Sequence, residues 1–402
     1  MLIAMLVTGW LADKFGRKYI VTLGMLATTV GVFKIFATSY YTYILVEFME
    51  AVLGGGSYSS ATLIMIEITG TKYRVLSGVI FAYAIYMGEM LFAVIAMLVP
   101  YWKTLVMITY LPTILCFLLA FVLTESPRWQ ILNSKTEDVI ENYKYISETN
   151  NIKVDLSTVS KLDANKLREK FKIKNYEKSE SIIEVFKSRE MMKRVLVASS
   201  CRFTSNFVYY GIMINSVWLP GDKYTNFLLS TVMSFPGELI SLYLMNKIGR
   251  KLPLVYGFSL SGIMCLLTAV IPDSAPWAKV TLVLLAKVVM SACFTGGITY
   301  CLELFPTSAR GFLLGICAIS ARMGGMLAPL TPILNEISFV LPPFCFGGSA
   351  LITGLLVILT PETKNLPLLD TIEQVEASIK TSHKTKEVDN LGFNNDTEQT
   401  KV

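Results

Sequence analysis

Charge is scarce in this 402-residue chain. Only 16% of its residues are Asp, Glu, Lys or Arg, against roughly 25% in soluble domains. There is one histidine, His383, in a polar tail, which excludes histidine catalysis inside an apolar core. The seven cysteines form no Cys-x-x-Cys pair, so neither a zinc site nor a disulfide framework is readable. No glycine-rich phosphate loop followed by Lys-Ser or Lys-Thr occurs, which argues against ATP-driven work. A net charge of +6 is too modest to point to nucleic acid. In their place stand hydrophobic residues: 53% of the chain, with a mean hydropathy of +0.53. One water-soluble core of this length could not hide so many. The composition implies a polytopic membrane protein in contact with the lipid bilayer, not an enzyme, with no cofactor and no metal.

A bilayer core about 30 Å thick takes about 20 apolar helical residues to cross. Ten stretches meet that length: 19–37, 43–66, 75–99, 104–123, 195–219, 225–245, 252–271, 279–302, 312–333 and 339–360. Residues 1–12 read as part of an eleventh. The expected organisation is an N-terminal transmembrane bundle over 1–124, a charged central loop over 125–194, a C-terminal bundle over 195–360 and a polar tail over 361–402. Within the loop, 181–186 has an amphipathic pattern that suits a membrane-surface helix or a plain linker. Basic residues collect in alternate connections: Lys14, Arg17 and Lys18; Lys72 and Arg74; the central loop; Lys247, Arg250 and Lys251; Arg310. The positive-inside rule makes these cytoplasmic, together with the C-terminus.

The chain repeats itself. Gly16-Arg17-Lys18 returns as Gly249-Arg250-Lys251, an offset of 249 − 16 = 233. Glu67 and Arg74 return as Glu303 and Arg310, an offset of 303 − 67 = 236. Glu125-Ser126 returns as Glu362-Thr363, an offset of 362 − 125 = 237. Ordered motifs at nearly constant offset imply two homologous halves, an architecture that lets two bundles rock about a central site. The second half has two stretches ahead of its Gly-Arg-Lys loop where the first has only residues 1–12. The repeat therefore predicts a twelve-span parent of which this chain lacks the first one and a half spans.

Gly9-Trp10-Leu11-Ala12-Asp13-Lys14-Phe15-Gly16-Arg17-Lys18 resembles the signature loop of the major facilitator superfamily. Glu125-Ser126-Pro127-Arg128-Trp129, Glu303-Leu304-Phe305-Pro306-Thr307 and Pro361-Glu362-Thr363-Lys364 resemble the organic cation, organic anion and carnitine transporter family. The paired glutamines usual in sugar porters are absent from the first span of the second half. The resemblance implies an all-α major facilitator fold of two pseudo-repeated six-helix bundles, in a multi-pass plasma-membrane transporter. Glu47 and Glu50 depart from the pattern, since many facilitators have Arg and Gln there.

Two sets of residues are expected to work. Asp13, Arg17, Glu67, Arg74, Glu125, Arg128, Arg250, Glu303 and Arg310 share one membrane level, where ion pairs could hold a gate or simply fix topology. Charges deep in spans are the sharper signal, because each costs on the order of 3 kcal/mol unless it meets a partner or a polar cavity. Glu89, Glu238, Lys287 and Arg322 are of this kind. Tyr83 and Tyr86 share a helix side with Glu89; Arg202, Asn206, Tyr209 and Tyr210 share another; Phe294 lies on the side of Lys287. Either these line a substrate cavity, with aromatic faces for organic cations, or they pair internally and anchor helices. Lys34, near a span end, is expected to reach water.

In the family the position of Arg322 tends to be acidic for cation substrates and basic for anions and zwitterions. Where anion transporters have Lys, this chain has Glu238. The expected activity is transport of small organic ions by alternating access, cations or zwitterions such as carnitine-like and amine compounds first and organic anions next. A coupling ion is left open. A non-transporting truncated product that regulates full-length subunits is the alternative from another class.

Overall fold

A computed structural model of the protein describes residues 7–8, 11–12, 14–69, 74–116, 118–133, 136–150, 185, 187–272, 274–306, 309–364, 372 and 374–376. Every regular element among the described residues is helical. Eight helices are long and apolar enough to cross a membrane: Arg17–Phe36, Tyr40–Ile68, Leu76–Leu98, Lys223–Lys247, Lys251–Val270, Pro276–Leu304, Phe312–Ile337 and Leu341–Ile358. The chain divides into two compact units, Met1–Asn175 and Tyr176–Val402.

In the first unit, α1 (Arg17–Gly31) tightens into a 3-10 turn over Val32–Phe36. It packs against α2 (Tyr40–Gly54), α3 (Ser57–Ile68) and α5 (Trp102–Cys116). Gly24 makes the close approach to α3, since a Cβ there would overlap the side chain of Ser57. Small residues at such crossings let helices meet without a hydrophobic driving force. Helix α4 (Arg74–Leu98) follows α3. The expected span 104–123 is described as α5, which contains Pro112, and a further helical turn at Leu119–Val122. After the spans come α6 (Pro127–Leu132) and the amphipathic α7 (Thr136–Thr149), which pack together.

The second unit is built around α8 (Arg189–Asn215), a 27-residue helix at the expected span 195–219. It is long enough to cross but too polar to be marked by composition. Arg194, Thr204, Ser205 and Asn206 are all buried on it. Such residues are tolerated because α12 (Pro276–Leu304), α13 (Arg310–Leu327) and α15 (Leu341–Ile358) surround it. A helix shielded from lipid by its neighbours need not be apolar. Between them lie α9 (Lys223–Val232), α10 (Ser234–Lys247), α11 (Lys251–Val270) and the short α14 (Thr331–Ile337). The stretch 181–186 lies outside the described residues apart from Val185.

Candidate functional site

The repeated motifs build the same local structure in each unit. A helix begins with N–H groups that have no intrahelical acceptor, and neither α1 nor α11 has a local side-chain cap. A distant carboxylate does the work instead. In the first unit the Arg17 and Lys18 amides donate to Glu125 Oε1 and Oε2 at 3.2 and 3.0 Å. In the second the Arg250 and Lys251 amides donate to Glu362 Oε1 and Oε2 at 2.8 and 3.0 Å. A negative group at the positive end of a helix dipole is favoured. The glycine before each helix makes room: Gly16 has φ 108° and Gly249 φ 138°, and a Cβ on either would collide with the capping carboxylate. The sequence alignment Gly16/Glu125 with Gly249/Glu362 thus reflects one device used twice.

Each arginine then reaches the glutamate at the end of a later helix. Arg250 meets Glu303 with Nε and Nη2, at 3.0 Å to Oε2 and 3.0 Å to Oε1. Arg17 Nη2 lies 3.5 Å from Glu67 Oε1. Arg17, Glu67 and Glu125 are thus in contact in the first unit, and Arg250 and Glu303 in the second. Asp13 lies outside the described residues, as do the side chains of Arg74, Arg128 and Arg310. Sequence reasoning missed Thr363, whose hydroxyl donates to Glu303 Oε2 at 2.7 Å.

Inside the second unit the charges Arg202, Glu238 and Lys287 stand on α8, α10 and α12, the last two buried and Arg202 part-buried. Lys287 is fully buried, donates to the Tyr209 carbonyl at 3.2 Å, and holds its ammonium 3.1 Å from the centre of the Tyr209 ring. The guanidinium of Arg202 stands 5.3 Å from the Phe294 ring centre and donates to the Phe294 carbonyl at 3.3 Å. Tyr209, Tyr210 and Phe294 pack edge to face or tilted, with centroids 5.0–6.5 Å apart. Asn206 turns back to the Arg202 carbonyl at 2.9 Å. Glu238, 2% exposed, accepts from Thr295 Oγ1 at 2.6 Å.

A serine ladder leads from Tyr209 across to α12. Ser234 shares a hydrogen bond with Tyr209 Oη at 3.2 Å, and its carbonyl accepts from Ser291 at 3.1 Å. Gly237 permits it, because a Cβ there would overlap Ser291 and the Val288 carbonyl. Thr295 and Ser234 carried no sequence signal, since small hydroxyls are common in apolar helices. A cation of the protein itself stands over each of two rings, Lys287 over Tyr209 and Arg202 over Phe294. Arg322 is part-buried on α13 and makes no ion pair among the described residues. In the first unit Tyr83 and Tyr86 lie 6.5 Å apart on α4, Tyr86 is buried, and Glu89 is part-buried one turn on.

The expectation for Lys34 is overturned. Its side chain is 3% exposed, ion-paired to Glu47 and to Glu50 at 2.5 Å, and donates to Tyr110 Oη at 3.2 Å. Tyr110 in turn donates to Glu50 Oε1 at 3.1 Å. The 3-10 turn that closes α1 aims Lys34 at α2 and α5 instead of water.

Comparison with known proteins follows the same lines. Solute carrier family 22 member 3 of Mus musculus is 29% identical over 374 residues, which are 92% of this chain and 66% of that protein. The organic cation transporter protein of Drosophila melanogaster is 28% identical over 380 residues, 93% of this chain and 69% of that one. The chain spans about two thirds of the length of the curated relatives it matches. The inward-open xylose transporter XylE from E. coli superposes with a TM-score of 0.70 at 14% identity, covering 94% of this chain and 86% of that one. The two share a fold, and XylE is described as a major facilitator superfamily protein. Residues 1–375 match the profile of one family along most of the chain, and the chain belongs to that family, described as sugar (and other) transporter.

Proposed function

We propose that this protein moves small organic ions across the plasma membrane by alternating access, and that its preferred substrates carry an amine together with a carboxylate. The observation that carries the reading is the mixed charge held by the second unit: Lys287 and Glu238 buried, with Arg202 on α8 and Arg322 on α13 part-buried. Charges at such depth persist only with partners or a polar surrounding. A simple cation meets rings over which Lys287 and Arg202 already stand, and a simple anion meets Glu238. A zwitterion answers both signs. Solute carrier family 22 relatives and the shared fold support transport as the activity. The capping and ion-pair networks at Arg17 and Arg250 are the proposed gate elements, with a cytoplasmic C-terminus following from the basic connections.

The test is a ratio of uptakes in cells expressing the protein, each normalised to surface protein. Two unit charges about 6 Å apart at an effective dielectric near 20 interact by roughly 3 kcal/mol, and about 1.4 kcal/mol is tenfold in affinity. Arg322→Asp is expected to weaken zwitterion uptake more than that of a simple amine. Glu238→Gln is expected to weaken the amine more. Ratios unchanged in both variants would make these charges structural partners only. Efficient uptake of dicarboxylates alone would overturn the substrate assignment in favour of organic anions.

A further inference from the structure

A trough of about 370 Å³ runs between α10 and α11, with α12 as its floor, and its lining is almost wholly apolar. The large side chains of its rim, Ile240, Ile248, Leu252 and Leu260, are exposed. From Leu252 to Leu260 it follows α11 for about 12 Å. The floor is low for two reasons. Ala292 offers only a methyl group to it. Gly257 lets α11 settle against α12, since a Cβ there would overlap Cys293 Sγ.

One end of the trough carries positive charge. Ile240, Leu244 and Lys247 stand at i, i+4 and i+7, on one side of α10. The Lys247 side chain is exposed and turns one turn back along its helix, where the ammonium donates to Tyr243 Oη at 2.9 Å and lies 5.3 Å from that ring's centre. It pairs with no carboxylate among the described residues. Its basic neighbours are committed elsewhere. Arg250 holds Glu303, Lys251 Nζ donates to the Ile358 carbonyl at 2.7 Å, and Lys364 Nζ donates to the Lys247 carbonyl at 2.7 Å. Lys364 thus serves the carbonyl end of α10, and the Lys247 ammonium is left to the membrane face. Tyr256, 70% exposed on the rim, adds a hydroxyl on an aromatic body, the kind of side chain found at the level of lipid headgroups.

We propose that the trough is a binding site for an anionic phospholipid: one acyl chain lies between α10 and α11 over Ala292, and the phosphate pairs with Lys247. A narrow apolar trough with a cation at one end matches an amphiphile with a chain and a negative head. The end that carries Lys247 is the one the basic connections assign to the cytoplasmic leaflet, where anionic lipids concentrate. A sterol matches less well, because its neutral hydroxyl makes no use of the ammonium. A transported organic ion matches less well, because the lining gives it little to bond to. The site stands apart from the charges of α8 and α13, so it does not depend on the transport reading.

The test uses purified protein in vesicles of phosphatidylcholine and phosphatidylserine, with a photoactivatable diazirine in the acyl chain of either lipid and cross-links located by peptide mass spectrometry. The phosphatidylserine probe should label the trough segments of α10, α11 and α12 at least threefold more than the phosphatidylcholine probe. Lys247→Gln should bring the two probes level, and Lys247→Arg should keep the preference. Ala292→Phe, which fills the floor, should lower trough labelling by both probes at least threefold; Lys247, being exposed, decides the question even if that variant does not fold. Equal labelling by the two probes in the native protein would reduce the trough to ordinary lipid contact and overturn the proposal. So would a preference that persists in Lys247→Gln, or displacement of the probe by cholesterol and not by unlabelled phosphatidylserine. A trough labelled by neither probe, as when a second copy of the chain covers it, would overturn it too.

Discussion

The two units use the same latch with different completeness. In the second, Glu303 has both oxygens engaged, by the fork of Arg250 and by the Thr363 hydroxyl. Arg250 also donates through Nη1 to the Met245 carbonyl at 2.9 Å. In the first, Glu67 meets Arg17 at 3.5 Å, and its Oε2 is buried without a hydrogen-bond partner among the described residues. One position of the repeat differs in what it does, Ser126 against Thr363. Ser126 is followed by Pro127, which suits a first helical turn, and its hydroxyl accepts from the Trp129 amide to cap α6. Thr363 caps no described helix, so its hydroxyl is available to Glu303. A side chain committed to starting a helix cannot also complete an ion-pair network.

The largest expected difference is therefore in the arginine–glutamate pairs themselves. Bidentate charge-assisted hydrogen bonds are the strong kind. A double-mutant cycle on Arg250 and Glu303, read from unfolding in detergent, should give a coupling of about 2 kcal/mol. The same cycle on Arg17 and Glu67 should give about 0.5–1 kcal/mol, closer to a pair without hydrogen bonds. Burial argues the other way, since Arg17 and Glu67 are 10% and 11% exposed against 19% and 24% for Arg250 and Glu303. Geometry should win, because an oxygen left unsatisfied in the native state has no hydrogen bond to lose. Equal couplings, or a larger one at Arg17, would break the comparison.

The next effect isolates the serine–threonine difference. Thr363→Val should cost about 1 kcal/mol, one net hydrogen bond, and should lower the Arg250–Glu303 coupling. Ser126→Ala should also cost about 1 kcal/mol, the usual loss of an N-cap, but leave the Arg17–Glu67 coupling where it was. If removing Ser126 weakens the Arg17 pair, the hydroxyl acts on both networks and the explanation offered for their difference fails.

How much of this was legible follows from the range of each signal. The latches could be read because the repeat places two copies of each motif in one chain, so Glu125 and Glu362 identify each other. The division of labour at Ser126 and Thr363 could not, because it depends on whether a helix forms next, and Pro127 has no counterpart after Thr363. Lys287, Glu238 and Arg202 stood out because charge within apolar runs is rare; Thr295, which bonds Glu238, and Ser234, which bonds Tyr209, did not, because hydroxyls are ordinary there. Lys34 was misjudged for a different reason. Nearness to a span end is a one-dimensional measure, while burial of this side chain comes from a 3-10 turn and from Glu50 and Tyr110 on two other helices. Charged helices such as α8 are marked poorly by composition for the same reason: neighbours, not sequence, keep them from lipid.

The smallest expected effect lies in acid and concerns the capping carboxylate of the second latch. Partial burial works against ionisation of Glu362, but the amides of Arg250, Lys364, Lys251 and Thr363 outweigh it and hold its carboxyl below the ordinary glutamate value of 4.5. A group whose folded value lies below its unfolded one binds fewer protons in the folded state, so stability rises with pH across the interval between them. The contribution of Glu362 should thus be complete above about pH 4.5 and lost as pH falls through the lower folded value. Gln at this position can still accept from the amides but does not titrate. In Glu362→Gln the unfolding temperature should sit lower at neutral pH, since a neutral acceptor at a helix N-terminus is weaker than a charged one. It should also decline less than that of the native protein on acidification. Parallel acid profiles for the two proteins would mean that the carboxylate is protonated alike in the folded and unfolded chains, and that the cap on α11 owes nothing to its charge.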